Sequence, residues 1–491
     1  MGFLSIFTDS DIRPLLLLLL FFVPTSTQEQ GFASVLISDK GLAFAKDFLI
    51  KKAISSMIPL QLPTAEKKVN IPVLGKADVV LSNITIYSAD VPSSYAKTGG
   101  TGVVLIISGA TANLTMNWRY SGKILFVDVS DHGIATIKVE GIDVGMTMAL
   151  EDQEGTLKVS ILESGCYVRG LSIKMEGGAS WFYQGLVDVF EDIIRSAVED
   201  AISSNIKEGV TMLDSLLQTL PKEIPVHDIA AMNVTFVGDP VLSKFSIELA
   251  INGLFTGIDN LGSSFYGKGL VDLVDYNASN KMAVMLLHEK VFNSAASVFF
   301  NEGYMQWTVN EEQHQSLLNT SSWKYIVPQL YKKYPNHAME LDISATSPPI
   351  IIILSNEVEA TIYLDVTIAV LESSEVVPVA CIALEITASC LPKIMGTYLM
   401  STLKLKDFTT SLKWSKIGNL HIRLTKFVMS IILKTVILPY VNSNLQKGLP
   451  VPIVEGFTLE NAEISCTDTE LVISSDVSFV EQWHSLSRKF V

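Results

Sequence analysis

The residue types that carry catalysis are few in this chain and poorly placed for it. Seven histidines (His132, His227, His288, His314, His337, His421 and His484) are scattered along 491 residues. His288 is followed by Glu289, but no second histidine stands at the helical spacing that a zinc site needs. Cys381 and Cys390 lie nine positions apart on strand-like sequence, which is not zinc-finger spacing. The chain has no G-x-S-x-G, no H-E-x-x-H, no P-loop and no G-x-G-x-x-G after a strand. The reading is a protein that works by binding, not an enzyme, with no metal and no resident cofactor.

What the sequence does offer is cations for phosphate and apolar side chains for hydrocarbon. Residues 40–76 hold seven lysines against only Asp47 and Glu66, a basic stretch in a chain of net charge −15. That overall charge argues against nucleic acid as a partner, since neutralising phosphates takes a surplus of Lys and Arg. Apolar residues make up 48% and charged residues 18%, with a mean hydropathy of +0.36. This excludes a disordered chain and demands large buried surfaces.

The elements that must supply those surfaces follow from periodicity. Residues 41–57 read as a helix, with Leu42, Ala45, Phe48, Leu49 and Ile54 broadly on one face. From about 69 to 161 the period is two: Leu114, Met116, Trp118 and Tyr120 alternate with Asn113, Thr115, Asn117 and Arg119. A long antiparallel sheet with one buried face is expected. A second helix spans 180–220, with Leu186, Phe190, Ile194 and Val198 among its apolar positions and Pro221 ending it. After a Gly/Ser-rich stretch over 253–269 the order recurs. A helix is expected at 289–300, strands over 337–412, a long helix over 424–446 and a last strand segment at 458–478. Two long helices laid on sheets leave two readings open: a packed α+β core, or an apolar tunnel under each helix.

The N-terminus carries six leucines at 15–20, then Phe21, Phe22 and Val23. This suits a signal-peptide core and is shorter than the ~20 residues a bilayer span needs. Asp9 and Asp11, opposed only by Arg13, are unusual for such a leader. Cleavage is expected near Thr27. Five N-x-Ser/Thr sequons, at Asn83, Asn113, Asn233, Asn277 and Asn319, agree with a secreted, extracellular glycoprotein.

Several motifs resemble the bactericidal/permeability-increasing protein and lipopolysaccharide-binding protein family. They include Ile37-Ser38-Asp39-Lys40-Gly41-Leu42-Ala43-Phe44-Ala45, Ile71-Pro72-Val73-Leu74-Gly75-Lys76, Val291-Phe292-Asn293-Ser294-Ala295-Ala296 and Ser344-Ala345-Thr346-Ser347-Pro348-Pro349. The most specific is Leu438-Pro439-Tyr440-Val441-Asn442-Ser443-Asn444-Leu445-Gln446-Lys447-Gly448-Leu449-Pro450. Gly177-Gly178-Ala179-Ser180-Trp181-Phe182-Tyr183-Gln184-Gly185 is similar to the plant branch.

The resemblance implies an α+β boomerang of two barrels joined by a central sheet, each barrel a twisted antiparallel sheet wrapped on a long helix. It implies a signal peptide over 1–27, an N-terminal lipid-binding barrel over 28–252, a linker and central-sheet region over 253–280, and a C-terminal barrel over 281–491. Phospholipid acyl chains would lie in apolar pockets lined by Leu186, Phe190, Ile194 and Val198 in the first barrel, and by Ile431, Leu433 and Val436 in the second. A lipopolysaccharide-recognising tip would combine Lys51, Lys52, Lys67, Lys68, Arg119 and Lys123 with Ile58, Leu60, Leu62 and Trp118. The family's disulfide between sheet and helix would pair Cys166 with a position that is Ile206 here, so Cys166 is expected as a free buried thiol. The implied function is recognition of bacterial lipopolysaccharide through lipid A in innate immune defence, with transient contact to a membrane or micelle surface. The alternative is phospholipid or neutral-lipid transfer without that specificity. No protein partner is implied.

Overall fold

The structure, a computed structural model, describes residues 31–71, 75–124, 127–176, 184–257, 280–310, 318–372, 375–418, 422–451 and 457–479. The leader expected over 1–27 and the sequon at Asn277 lie outside these residues.

Helix α1 (Asp39–Met57) starts where the Ser38 hydroxyl accepts the Gly41 N–H at 3.3 Å, a serine N-cap that satisfies one free backbone donor. Gly41 is required for a second reason: a Cβ there would collide with the Met282 carbonyl oxygen of the second half. The first barrel's sheet has the order Leu60–Gln61, Gly75–Asp90, Val103–Ile124, Val127–Gln153, Thr156–Glu176. Helix α2 (Gln184–Gln218) packs along it. The alternation holds along Val103–Ile124, with Leu114, Met116, Trp118 and Tyr120 all buried.

The second barrel runs Gln306–Val309, Met339–Ala345, Glu357–Glu372, Glu375–Cys390, Lys404–Ser415. It is preceded by α3 (Glu289–Asn301) and carries a short helix α4 (Pro328–Lys333). Its long helix comes in three parts, α5 (Ile422–Ile432), a π-helical turn (Leu433–Ile437) and α6 (Leu438–Leu445). Pro439 accounts for the turn. It has no N–H, and its ring would press on the carbonyl four residues back. The backbone slips to the wider register, and Leu438 N–H bonds to Leu433 O.

The central sheet has the order Val241–Leu242, Ser246–Ile251, Ala33–Ser38, Ala283–His288, Glu470–Phe479, Phe457–Thr467. Its strands lie on either side of 253–280, so the expected linker is not where that sheet comes from. Within that interval the described strand Phe255–Gly257 pairs instead with Ala230–Asn233. The repeat of strand, helix, sheet, long helix and strand is real, and each half contributes strands to the sheet that joins them.

Candidate lipid-binding site

Helix α2 presents two stripes to its sheet. Phe190, Ile194 and Val198 are fully buried, because a 3.6-residue period returns every fourth residue to the same face. Val189, Ile193, Ala197 and Ile202 are half-buried and flank this ridge. The Phe190 ring centroid lies 6.5 Å from that of Trp118, so the ridge packs side chain to side chain on the sheet. Leu186 falls within α2, but its side chain is outside the described residues. In the second barrel Leu433 and Val436 are buried and Ile431 is half-buried. A cavity of about 10 Å³ there is lined by Trp323, Val327, Leu330, Ile368, Ile382, Ile417, Val428 and Met429. It has room for about one water. That cavity is too small for an acyl chain. The half-buried flanks of α2 are apolar like the ridge and lie nearer the surface.

The expected tip divides in two. Leu60 pairs with Ile86, whereas Lys67 pairs with Val79 and Lys68 with Asp78. Ile86 and Val79 are seven residues apart on one strand, about 23 Å. The end of α1, with the exposed Lys51 and Lys52, therefore stands well back along the barrel. Lys68, Arg119 and Lys123 share one face toward its remote end, since Asp78 pairs with Ser121, Val80 with Arg119, and Lys123 with Asp128 near the Ile124–Val127 hairpin, while Lys67, next to Lys68 on the strand, leaves from the opposite face. Lys68 and Lys123 lie 3.6 Å from the carboxylates of Asp78 and Asp128 respectively. Among the described residues Lys67 and Arg119 form no ion pair.

Two apolar members are placed differently from the expectation. Trp118 is 1% exposed and stacks beside Tyr120 inside the barrel. It neighbours Arg119 on a strand, where successive side chains point to opposite faces, so both cannot meet the same surface. Leu62 is also buried. Its N–H bonds to Ile84 O at 2.8 Å, which turns the chain inward after Gln61. Ile58 and Leu60 are half-buried and remain a partial apolar edge.

Both halves match known sequences. Residues 41–220 match the LBP / BPI / CETP family, N-terminal domain, and residues 225–479 match its C-terminal domain. The chain belongs to the LBP/BPI/CETP family. It is 49% identical over 471 residues to a BPI/LBP family protein of Arabidopsis thaliana, covering 95% of this chain and 96% of that protein. It is 25% identical to the bactericidal permeability-increasing protein of Sebastes schlegelii, covering 94% and 98%. Against human lipopolysaccharide-binding protein it is 22% identical, covering 95% and 98%. The crystal structure of lipopolysaccharide binding protein superposes with a TM-score of 0.65 at 19% identity, over 92% of this chain and 99% of that one. The two-barrel α+β boomerang is thereby established, and membership places the chain among lipid-binding proteins.

The family motif around Pro439 acquires a structural role. Asn442 accepts the Leu403 N–H at 2.8 Å and donates to Leu403 O at 3.1 Å, pinning α6 to the segment that leads into strand Lys404–Ser415. In the first barrel Cys166 packs with Ile202 and Ile206 against one cluster. It is a free thiol, half-buried and not enclosed. Burial, together with the Glu199 and Asp143 carboxylates, pushes it up to about 11. Of the described sequons, Asn83 is exposed in a left-handed conformation (φ 52°). Asn113 is part-buried and donates to the Ser88 hydroxyl at 2.8 Å. Asn233 and Asn319 each accept from the hydroxyl two residues on, at 2.7 and 2.6 Å.

Proposed function

We propose that this is a secreted lipid-binding protein that takes acyl chains along the α2 seam and the matching seam of the second barrel, and recognises bacterial lipopolysaccharide with the remote end of its first barrel. The observation that carries the reading is the α2 seam, where a buried Phe190-Ile194-Val198 ridge is flanked by half-buried apolar side chains. An acyl chain laid on those flanks is sheltered at ~0.8 kcal/mol per methylene. The gross gain for two sixteen-carbon chains is roughly 25 kcal/mol, but lipid is already sheltered in a membrane, so the net affinity is far smaller. The ridge must yield for deeper entry, which costs packing, and uptake is therefore slower than surface contact. Lys68, Arg119 and Lys123 would face the lipid A phosphates, with Lys67 on the other face of the same exposed strand.

The second reading, phospholipid transfer without lipopolysaccharide specificity, is favoured by the pairing of Lys68 and Lys123 with carboxylates. One comparison separates the two. Lipopolysaccharide binding and phospholipid uptake are measured for the quadruple charge reversal Lys67→Glu, Lys68→Glu, Arg119→Glu and Lys123→Glu, and separately for Lys51→Glu with Lys52→Glu. Lipopolysaccharide binding lost only in the quadruple variant, with uptake retained, supports recognition at the remote end. Unchanged lipopolysaccharide binding in both leaves transfer as the function. Mass spectrometry of lipid carried through purification identifies the cargo.

A further inference from the structure

The second barrel has a basic, aromatic end of its own. Strand Glu357–Glu372 leaves the central region at Val358, which packs in the cluster containing Leu471 and Ile473 of the central sheet. It reaches Glu372 fourteen residues later, about 46 Å away. Strand Glu375–Cys390 returns, and Lys404–Ser415 runs out again, so Ser415 and Lys416 stand at the remote end beside Ala380 and Val379. The 318–337 segment closes the same end: Met339 N–H bonds to Leu318 O at 2.8 Å and Leu371 N–H to Ala338 O at 2.9 Å. The two segments meet. Trp323, Val327 and Leu330 from one share a small cavity with Ile417, Val428 and Met429 from the other, and Lys333 Nζ lies 3.4 Å from Lys416 O.

Their composition is opposite to that of the whole chain. Residues 318–337 contain three lysines and no acid, and residues 408–427 contain Lys413, Lys416, Arg423 and Lys426 and no acid. Lys413 is paired with Asp365. Among the described residues Lys324, Lys332, Lys333 and Lys416 have no carboxylate partner. By register the nearby acids are Glu372 and Glu375 at the neighbouring hairpin, with Glu340 opposite Ala369 and Asp342 opposite Thr367 further along the sheet.

The lysines are interleaved with exposed rings. Tyr325 is 86% exposed and Trp414 39%. Lys324 Nζ lies 5.7 Å from the Tyr325 ring centroid and 5.1 Å from that of Tyr331, and Lys416 Nζ lies 5.5 Å from that of Trp414. Water tolerates such rings poorly, whereas the headgroup layer of a bilayer suits both an amphipathic ring and an ammonium group.

We infer that this end of the second barrel is a docking surface for an anionic phospholipid bilayer, with Lys324, Lys332, Lys333 and Lys416 facing the headgroups and Tyr325 and Trp414 seated among them. It is separate from the lipopolysaccharide-recognising end and does not rest on acyl-chain uptake. Each lysine close to an anionic surface contributes roughly fivefold in affinity, and the contribution falls with salt.

The test is co-sedimentation of the full chain with sucrose-loaded vesicles free of lipopolysaccharide, either neutral phosphatidylcholine or phosphatidylcholine with about a third phosphatidylglycerol. The protein is expected to sediment with the anionic vesicles, to favour them over neutral ones, and to release in high salt. The Lys324→Glu, Lys332→Glu, Lys333→Glu, Lys416→Glu variant should lose more than about a hundredfold in affinity. Tyr325→Ala with Trp414→Ala should weaken binding without changing its salt dependence. The Lys67→Glu, Lys68→Glu, Arg119→Glu, Lys123→Glu variant should still sediment. An unaltered circular dichroism melt for each variant excludes misfolding, and a variant that fails it is replaced by the four Lys→Gln changes. Equal binding to both vesicle types overturns the proposal. So does undiminished binding by the second-barrel variant, or capture by an acidic protein or a nucleic acid in preference to the vesicles.

Discussion

Trp118 and Arg119 are adjacent in sequence and lie on opposite faces of one strand, so their replacement should have unrelated consequences. Trp118 is 1% exposed, lies between Tyr120 and Phe190, and fills space that Gly133 leaves open. A Cβ on Gly133 would stand 2.7 Å from the indole Cζ2 and 2.8 Å from Glu176 O. Trp118→Ala should therefore destabilise the fold by about 3–5 kcal/mol, the usual range for emptying a large aromatic site. Gly133→Ala should cost about 1–3 kcal/mol through overpacking. Part of that second cost disappears once the indole is gone, while the clash with the backbone oxygen stays. The two changes should then be non-additive by about 1 kcal/mol. Arg119→Ala should alter stability by no more than about 0.5 kcal/mol. Urea unfolding followed by far-UV circular dichroism measures all four variants, with midpoints compared at constant slope. A loss below about 1 kcal/mol for Trp118→Ala would refute the packing argument. Weakened surface binding by correctly folded Trp118→Ala would return the indole to the exterior.

The α3 N-cap gives a pH signature. His288 Nδ1 accepts the Lys290 N–H at 3.1 Å, and burial holds its pKa below the usual 6.5. As pH falls the unfolded chain takes up the proton first, so this contribution to stability is present above 6.5 and is lost as pH drops through the folded value. His288→Asn, which keeps a capping acceptor, should show a shallower loss of stability between neutral and acid pH, and an identical profile would contradict the cap. Cys166, raised to about 11 from 9.0, should be alkylated by iodoacetamide at pH 8 roughly a hundredfold more slowly than a free thiol. Site-resolved mass spectrometry reads that rate, and reaction at the free-thiol rate would contradict its environment. Expressed in a eukaryotic secretory host, the product should begin near residue 28 and lose mass on deglycosylation, and a cytosolic product retaining Met1 would defeat the extracellular assignment.

The long helices were legible because their signal is local. The apolar period over 180–220 gave α2 (Gln184–Gln218) to within a few residues, and the period of two placed Trp118 inside with Leu114 and Met116. The error at Trp118 came from setting that pattern aside for a compositional argument about indoles and cations. Leu62 had no such signal. Its burial depends on Leu60 pairing with Ile86, a register that no local pattern encodes. The same holds for the split of the lysines: Lys51 and Lys67 are close in sequence and distant along the barrel. The basic end of the second barrel had a visible trace in two acid-free segments, but they lie about seventy residues apart, and only the folded sheet brings them together.

The position of Ala33–Ser38 between Ser246–Ile251 and Ala283–His288 has a consequence for synthesis. This strand is made before both of its neighbours, which are completed about 210 and 250 residues later. At the usual ~5–20 residues per second, its second edge stays open for roughly 12–50 seconds. Throughout that interval a short apolar strand offers unpaired backbone groups to any passing chain. The first barrel can close its own sheet early, but the seam between the halves is sealed only when the second half arrives. Translation rate, and whatever shields a nascent strand, therefore bear on the yield of this protein.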